Sequence, residues 1–201
     1  MKTKTLLPSL ILSTMLLAAC SGVMNSSQAA KQYYMLMPLT GASVENTDAQ
    51  KPGLAMNLAA VPGLDSDWIQ ALGADARLTR YANARWPDHL PEVLSSVIQR
   101  SLAATGRFSS VDAAPRSTGG AWFLQLEVQK FYGLQDAGGQ TKSVAVELYG
   151  SIECGDQRES FTLDETVPVG GERLSTVVAA HQQGLDKVTQ ELFNKIAGVC
   201  S

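Results

Sequence analysis

The stretch Trp122 to Tyr132, WFLQLEVQKFY, limits the possible folds of this chain more than any other segment. Trp122, Leu124, Leu126 and Val128 alternate with Gln125, Glu127 and Gln129, and a period of two puts the first set on one face of a strand and the second on the other. Residues 135 to 142, QDAGGQTK, form a turn, after which Val144, Val146, Leu148, Gly150 and Ile152 repeat the alternation. A second turn at Gly155-Asp156 precedes Glu159 to Val167, where Phe161, Leu163 and Glu165 alternate with Thr162 and Asp164. The pattern predicts a three-stranded antiparallel meander with one apolar face.

That face needs a cover, and two segments supply it. Leu90, Val93, Leu94, Val97, Ile98 and Leu102 recur at helical spacing behind Asp88, a candidate cap. Pro91 falls in the first turn, where a missing N–H costs little, and Gly106 stands where a left-handed end residue belongs. A second stripe, Leu174, Val177, Val178, Leu185, Val188, Leu192 and Ile196, runs from Glu172 to about Ala197. His181 interrupts it and reads as a satisfied core residue, while Gly184 costs the helix middle about 1 kcal/mol relative to Ala. Earlier in the chain, Tyr33 to Met37 and Leu54 to Val61 read as strands, and Trp68 to Gln70 and Arg77 to Ala82 are candidates for a further short strand and an edge strand or hairpin arm. A short strand returns at Phe108 to Val111. The Tyr33-Tyr34 pair reads as core. The expected class is α+β: an antiparallel sheet of about six strands with two amphipathic helices packed on one face.

The 201 residues are 45% hydrophobic, enough for one domain with a sizeable core. Sixteen Lys+Arg against 19 Asp+Glu leave a formal charge of −3 without any block of like charge. No basic face is evident, so a nucleic-acid partner is not expected.

The amino terminus reads as an address. Lys2 and Lys4 precede an apolar run from Leu6 to Leu17 that is too short to span a bilayer, which takes about 20 residues. It ends in Leu17-Ala18-Ala19-Cys20, which resembles the lipobox of bacterial lipoproteins. The resemblance implies acylation of the Cys20 thiol and cleavage before it; an ordinary secretory peptide is the alternative. Cleavage removes Lys2 and Lys4 and takes the formal charge to −5. Ser21 resembles outer-membrane sorting, since inner-membrane retention commonly uses Asp there. Ser21 to Lys31, SGVMNSSQAAK, reads as a flexible tether. The chain thus divides into a lipoprotein signal peptide over 1–19, a lipidated cysteine and tether over 20–31, and a single domain over 32–201.

With Cys20 acylated, Cys154 and Cys200 remain, and an even remainder in an oxidising compartment suggests one disulfide. Two unpaired thiols are the alternative; a redox pair lacks its C-x-x-C spacing.

Catalytic signals are missing from the sequence. It holds no G-x-S-x-G elbow and no G-x-x-x-x-G-K-[ST] loop. Gly170-Gly171 reads as a turn. His89 and His181 are the only histidines, so no metal site and no cofactor are expected. Glu127 and Glu147 sit on neighbouring strands and would form a carboxylate pair if they faced each other, but a solvated face is the favoured reading because strand alternation already explains Glu127. Packing alone does not explain one stretch well: Tyr81 to Leu90, YANARWPDHL, where an Arg85-Trp86 pair ahead of a helix can stack, cap or meet a partner, while a strand-to-helix corner fixed by a buried Trp is the favoured reading.

These residues carry a family resemblance. The lipobox at Cys20, Tyr33-Tyr34-x-Leu36-x-Pro38, Val61-Pro62-Gly63-Leu64-Asp65, and Tyr81 leading to Arg85-Trp86-x-x-x-Leu90 resemble the ABC-type transport auxiliary lipoproteins in order and spacing. The resemblance implies a non-catalytic outer-membrane lipoprotein, held by its acyl chains and facing the periplasm. Its implied partners are an MCE-domain tunnel protein and an inner-membrane permease system for lipid transport, and homo-oligomerisation is also implied. The alternative is a periplasmic assembly or envelope-stress lipoprotein bound to another outer-membrane protein. The expected partner surfaces are an exposed Arg85-Trp86 corner and the loop bearing Pro62, Leu64, Asp65 and Trp68.

Overall fold

The alternation found in Trp122 to Tyr132 builds the strand around which the rest of the sheet is arranged. The computed structural model describes residues 30–41, 51–114 and 121–200, and Lys31–Ser201 forms one compact unit. The signal peptide, Cys20 and most of the tether lie outside the described residues. The elements run β1 (Gln32–Tyr33), β2 (Gly53–Ala60), β3 (Trp68–Leu72), β4 (Leu78–Arg85), α1 (Leu90–Ala104), β5 (Ser110–Ala113), β6 (Trp122–Gln135), β7 (Thr141–Cys154), β8 (Gln157–Pro168) and α2 (Leu174–Val199).

The meander forms as expected from its period: β6 pairs antiparallel with β7, and β7 with β8. The full sheet, however, has eight strands and is mixed, which corrects the expectation of six antiparallel strands. β2 and β3 both run parallel to β6, β5 runs parallel to β2, and β1 runs parallel to β4. Only β3 and β4 add a further antiparallel pair. Hydrophobic period identifies strands but not partners, and the β2–β6 pairing closes across β3, β4, α1 and β5, so nothing local in the sequence announces it.

With β7 occupying one edge of β6, β2 and β3 share the other. Ala60 lies opposite Val128, and Ala71 opposite Gly133. The chain therefore follows β6 nearly end to end, and the segment from Val61 to Asp67 loops out between two nearly collinear strands.

Leu54, Met56 and Leu58 of β2 stand in register with Trp122, Leu124 and Leu126 of β6. Leu124, Leu126 and Val128 stand beside Ile152, Gly150 and Leu148 of β7. Both helices close over this face, and their buried side chains join the sheet in one apolar cluster. A register shift between Val128 and Lys130 inserts Gln129, so inward facing moves to Phe131 beyond it. Glu165 lies at the rim, where Lys187 of α2 meets it at 3.0 Å.

Helix α1 starts one residue later than its sequence suggests. His89, not Asp88, occupies the N-cap position, and Asp88 instead accepts the His89 amide at 2.8 Å. Gly106 adopts φ +67, the left-handed end the sequence predicts. Gly184 has a packing role that helix propensity alone does not show: a Cβ there would come within 2.8 Å of Val146 Cγ2 on β7. The stiff, β-branched neighbour cannot easily give way. Gly184→Ala is therefore expected to lower stability by about 1 kcal/mol despite its better propensity, as read from the urea midpoint.

His181 is fully buried between Trp86 and Phe131, at centroid distances of 5.6 and 4.9 Å. Its Nδ1–H donates to the Val177 carbonyl at 2.9 Å, while Nε2 has no partner. Burial pushes its pKa down from 6.5 to about 4. On acidification the unfolded chain takes the proton first, so the stability contributed by the neutral ring is complete above pH 6.5 and is lost as pH falls towards 4. The expected loss across that window is about 3 kcal/mol. Urea titrations of wild type and His181→Leu between pH 7 and pH 4 check this: the variant is expected to fall less steeply by about that amount.

Candidate functional site

The two stretches singled out by sequence, Pro62 to Trp68 and Tyr81 to Leu90, come together at one corner. Backbone bonds tie them: Trp86 N–H donates to Asp67 O at 2.7 Å, and Leu90 N–H, an orphan of the first helical turn, donates to Ser66 O at 3.0 Å. Asp65 meets His89 Nδ1 at 3.0 Å, and this carboxylate raises the His89 pKa above its usual value.

A backbone irregularity arranges the side chains. Trp68 lies opposite Arg85 and Gln70 opposite Arg80, so the single residue Ile69 faces the four residues Tyr81 to Ala84. Asn83 in this bulge takes φ +57. Residues five apart on a regular strand point to opposite faces. The bulge cancels that rule, and both Arg80 and Arg85 lie over the indole of Trp68, with Arg80 Cζ 4.0 Å from the ring centroid. Arg85 also pairs with Asp67 at 3.2 Å and donates to the Ala84 carbonyl at 2.9 Å. These partners compensate a guanidinium that is 7% exposed.

The same geometry corrects the expected exposed Arg85-Trp86 corner. Trp86 is 1% exposed and packs edge-to-face on Phe131 at 5.8 Å. Leu64 is buried as well. Arg85, Trp86 and Leu64 therefore hold the loop from within. The accessible part is Pro62, Asp65 and the half-buried Trp68, joined by Leu78 and Arg80 of β4 around an open groove of about 580 Å³. Gln70 braces it by donating to Gly63 O at 3.1 Å. Sequence reasoning missed Leu78 and Arg80 as members of this surface. Their strand was legible, but the bulge that turns Arg80 onto Trp68 was not. No carboxylate among the described residues pairs with Arg80.

Elsewhere, Cys154 and Cys200 are bonded, with Cα atoms 5.8 Å apart, joining the end of β7 to the end of α2. Glu127 and Glu147 do not face each other. Glu127 lies opposite Tyr149 and accepts from Gln129, whereas Glu147 pairs with Lys130 at 2.5 Å. Among the described residues no cluster of three or more His, Cys, Asp or Glu could hold a metal ion, and no helix is long and apolar enough to cross a membrane.

Two helices on one face of a mixed sheet, with a bulged corner that shapes a surface groove, define a small α+β domain. The family model described as the ABC-type transport auxiliary lipoprotein component matches residues 34–192, and the chain belongs to that family. Two crystal structures share the fold. One, a Xanthomonas campestris protein under the family label DUF330, is 20% identical, covers 82% of this chain and 94% of its own, and gives a TM-score of 0.68. The other, an uncharacterized protein, is 16% identical, with 84% and 99% covered and a TM-score of 0.62. No curated protein matches the sequence.

Proposed function

We propose that the chain is a non-catalytic outer-membrane lipoprotein of an MCE/ABC-type intermembrane lipid transport system. Acyl chains on Cys20 hold it to the leaflet, and it docks a periplasmic tunnel protein through the groove of Pro62, Asp65, Trp68, Leu78 and Arg80. The observation that carries this reading is the family match over residues 34–192, a family described as an auxiliary transport component. The corner supports it. Its buried members, Arg85 and Trp86, make a rigid base, and its accessible members combine a half-buried indole covered by a guanidinium with an exposed aliphatic side chain, residue types common in protein interfaces.

The test is capture of the cognate MCE-domain protein by the acylated protein in detergent. Wild type is expected to retain it, and Arg80→Glu to weaken retention at least about tenfold, equivalent to roughly 1.4 kcal/mol, with an unchanged thermal midpoint. A deletion strain is expected to lose outer-membrane lipid asymmetry. Absence of capture together with normal asymmetry would overturn the proposal.

A further inference from the structure

The segment just after the tether exposes an apolar stripe. Tyr33, Met35 and Met37 are 59, 62 and 61% exposed, and they are three of the five exposed large apolar side chains among the described residues. Leu36 between them is 2% exposed and belongs to the core. Burial alternates from Tyr33 to Met37, with Tyr34 and Leu36 turned inward and the other three outward, and at the rise of a strand the stripe is about 13 Å long.

The stripe is held rigidly. Tyr34 N–H donates to Arg85 O at 2.9 Å, Met37 exchanges bonds with the Gln182 amide at 2.8 and 2.9 Å, and Leu39 N–H donates to Ser101 Oγ at 2.9 Å. Both helices thus clamp the segment and present its apolar side outward.

We propose that Tyr33, Met35 and Met37 form the edge on which the domain rests against the lipid leaflet that holds its anchor. This rests on the reading that Cys20 is acylated. Twelve residues separate Cys20 from Tyr33, and fully extended they reach about 40 Å. The stripe never leaves the neighbourhood of the leaflet, so its effective concentration there is high and a small patch suffices. The chemistry suits an interface: a phenol with an apolar body, two flexible thioethers, and exposed Lys31 two residues before Tyr33 to meet phosphate. Asp88, Glu92 and Arg100 line the depression beside Met35, so the local charge is mixed. Contact is therefore driven by the apolar side chains and changes little with salt.

The acylated protein in phosphatidylethanolamine–phosphatidylglycerol vesicles, doped with a phospholipid carrying a photoreactive acyl chain, tests this. Residues 33–37 are expected to take the label at least fivefold more than the segment around Tyr149, at low and high salt alike. Met35→Glu/Met37→Glu is expected to float with the vesicles as wild type does and to lose that labelling at least fivefold. Flotation without labelling at 33–37, equal labelling of the variant, or cross-linking of this segment to a second copy instead of lipid overturns the proposal while leaving the anchor intact. A protein that carries no acyl mass and does not float overturns the anchor reading itself, and with it this one.

Discussion

Trp86→Ala is expected to lower unfolding stability by about 3–5 kcal/mol, the range for truncating a large aromatic side chain in a packed core. Trp86 is 1% exposed and touches Phe131 and His181 edge-on. Its removal opens a cavity between β6, α2 and the β4–α1 corner, where the surrounding residues belong to three elements that cannot all collapse together. For a domain of this size the thermal midpoint should fall by roughly 8–16 °C. Trp86→Phe keeps an aromatic edge and should cost less. Urea titration followed by circular dichroism checks both, and an alanine variant within 1 kcal/mol of wild type would show that the indole is not the keystone described here. The bond from Trp86 N–H to Asp67 O is made by the backbone and survives the substitution, so the groove should change only as far as the corner itself shifts.

The second large effect is expected from the disulfide. Cys154 and Cys200 are 46 residues apart in sequence. Cross-linking a loop of that length restricts the unfolded chain by about 4 kcal/mol in the chain-entropy account. Cys154→Ala/Cys200→Ala should lose about that much. Both sulfurs are nearly buried, so the alanines add a small packing loss. The bond ties β7 to the last turn of α2, whose Cys200 carbonyl also accepts from Arg107 at 2.6 Å. Fraying should therefore begin at the carboxyl-terminal turn and show as faster amide exchange there. An unchanged midpoint in the double variant would contradict this account.

The parts of the fold legible in the sequence are those set by local period. The meander of β6, β7 and β8 and the stripes of α1 and α2 follow from alternation by two and by 3.6, and Gly106 ends α1 at a φ that glycine takes without strain. Parallel partners are not local, so the pairing of β2 and β3 with one edge of β6 had no signature. Residue type also misled where period spoke against it. Tyr33-Tyr34 reads as core by composition, yet adjacent residues of an extended segment cannot both point inward, and Tyr33 points out while Leu36 points in. At the candidate site the sequence singled out two stretches that the fold brings together, Pro62 to Trp68 and Tyr81 to Leu90, but not the bulge at Asn83. That bulge decides that Arg85 and Trp86 lie inside and that Arg80 and Leu78 carry the surface.

The central claim, that this corner meets a transport partner, is tested most directly by a photo-cross-linker introduced at Leu78 in the native envelope. The account predicts a cross-link to an MCE-domain protein from Leu78 and none from Tyr149 on the uncovered sheet face. Cross-links from Tyr149 with none from Leu78, or no MCE-domain protein at either position, would contradict it.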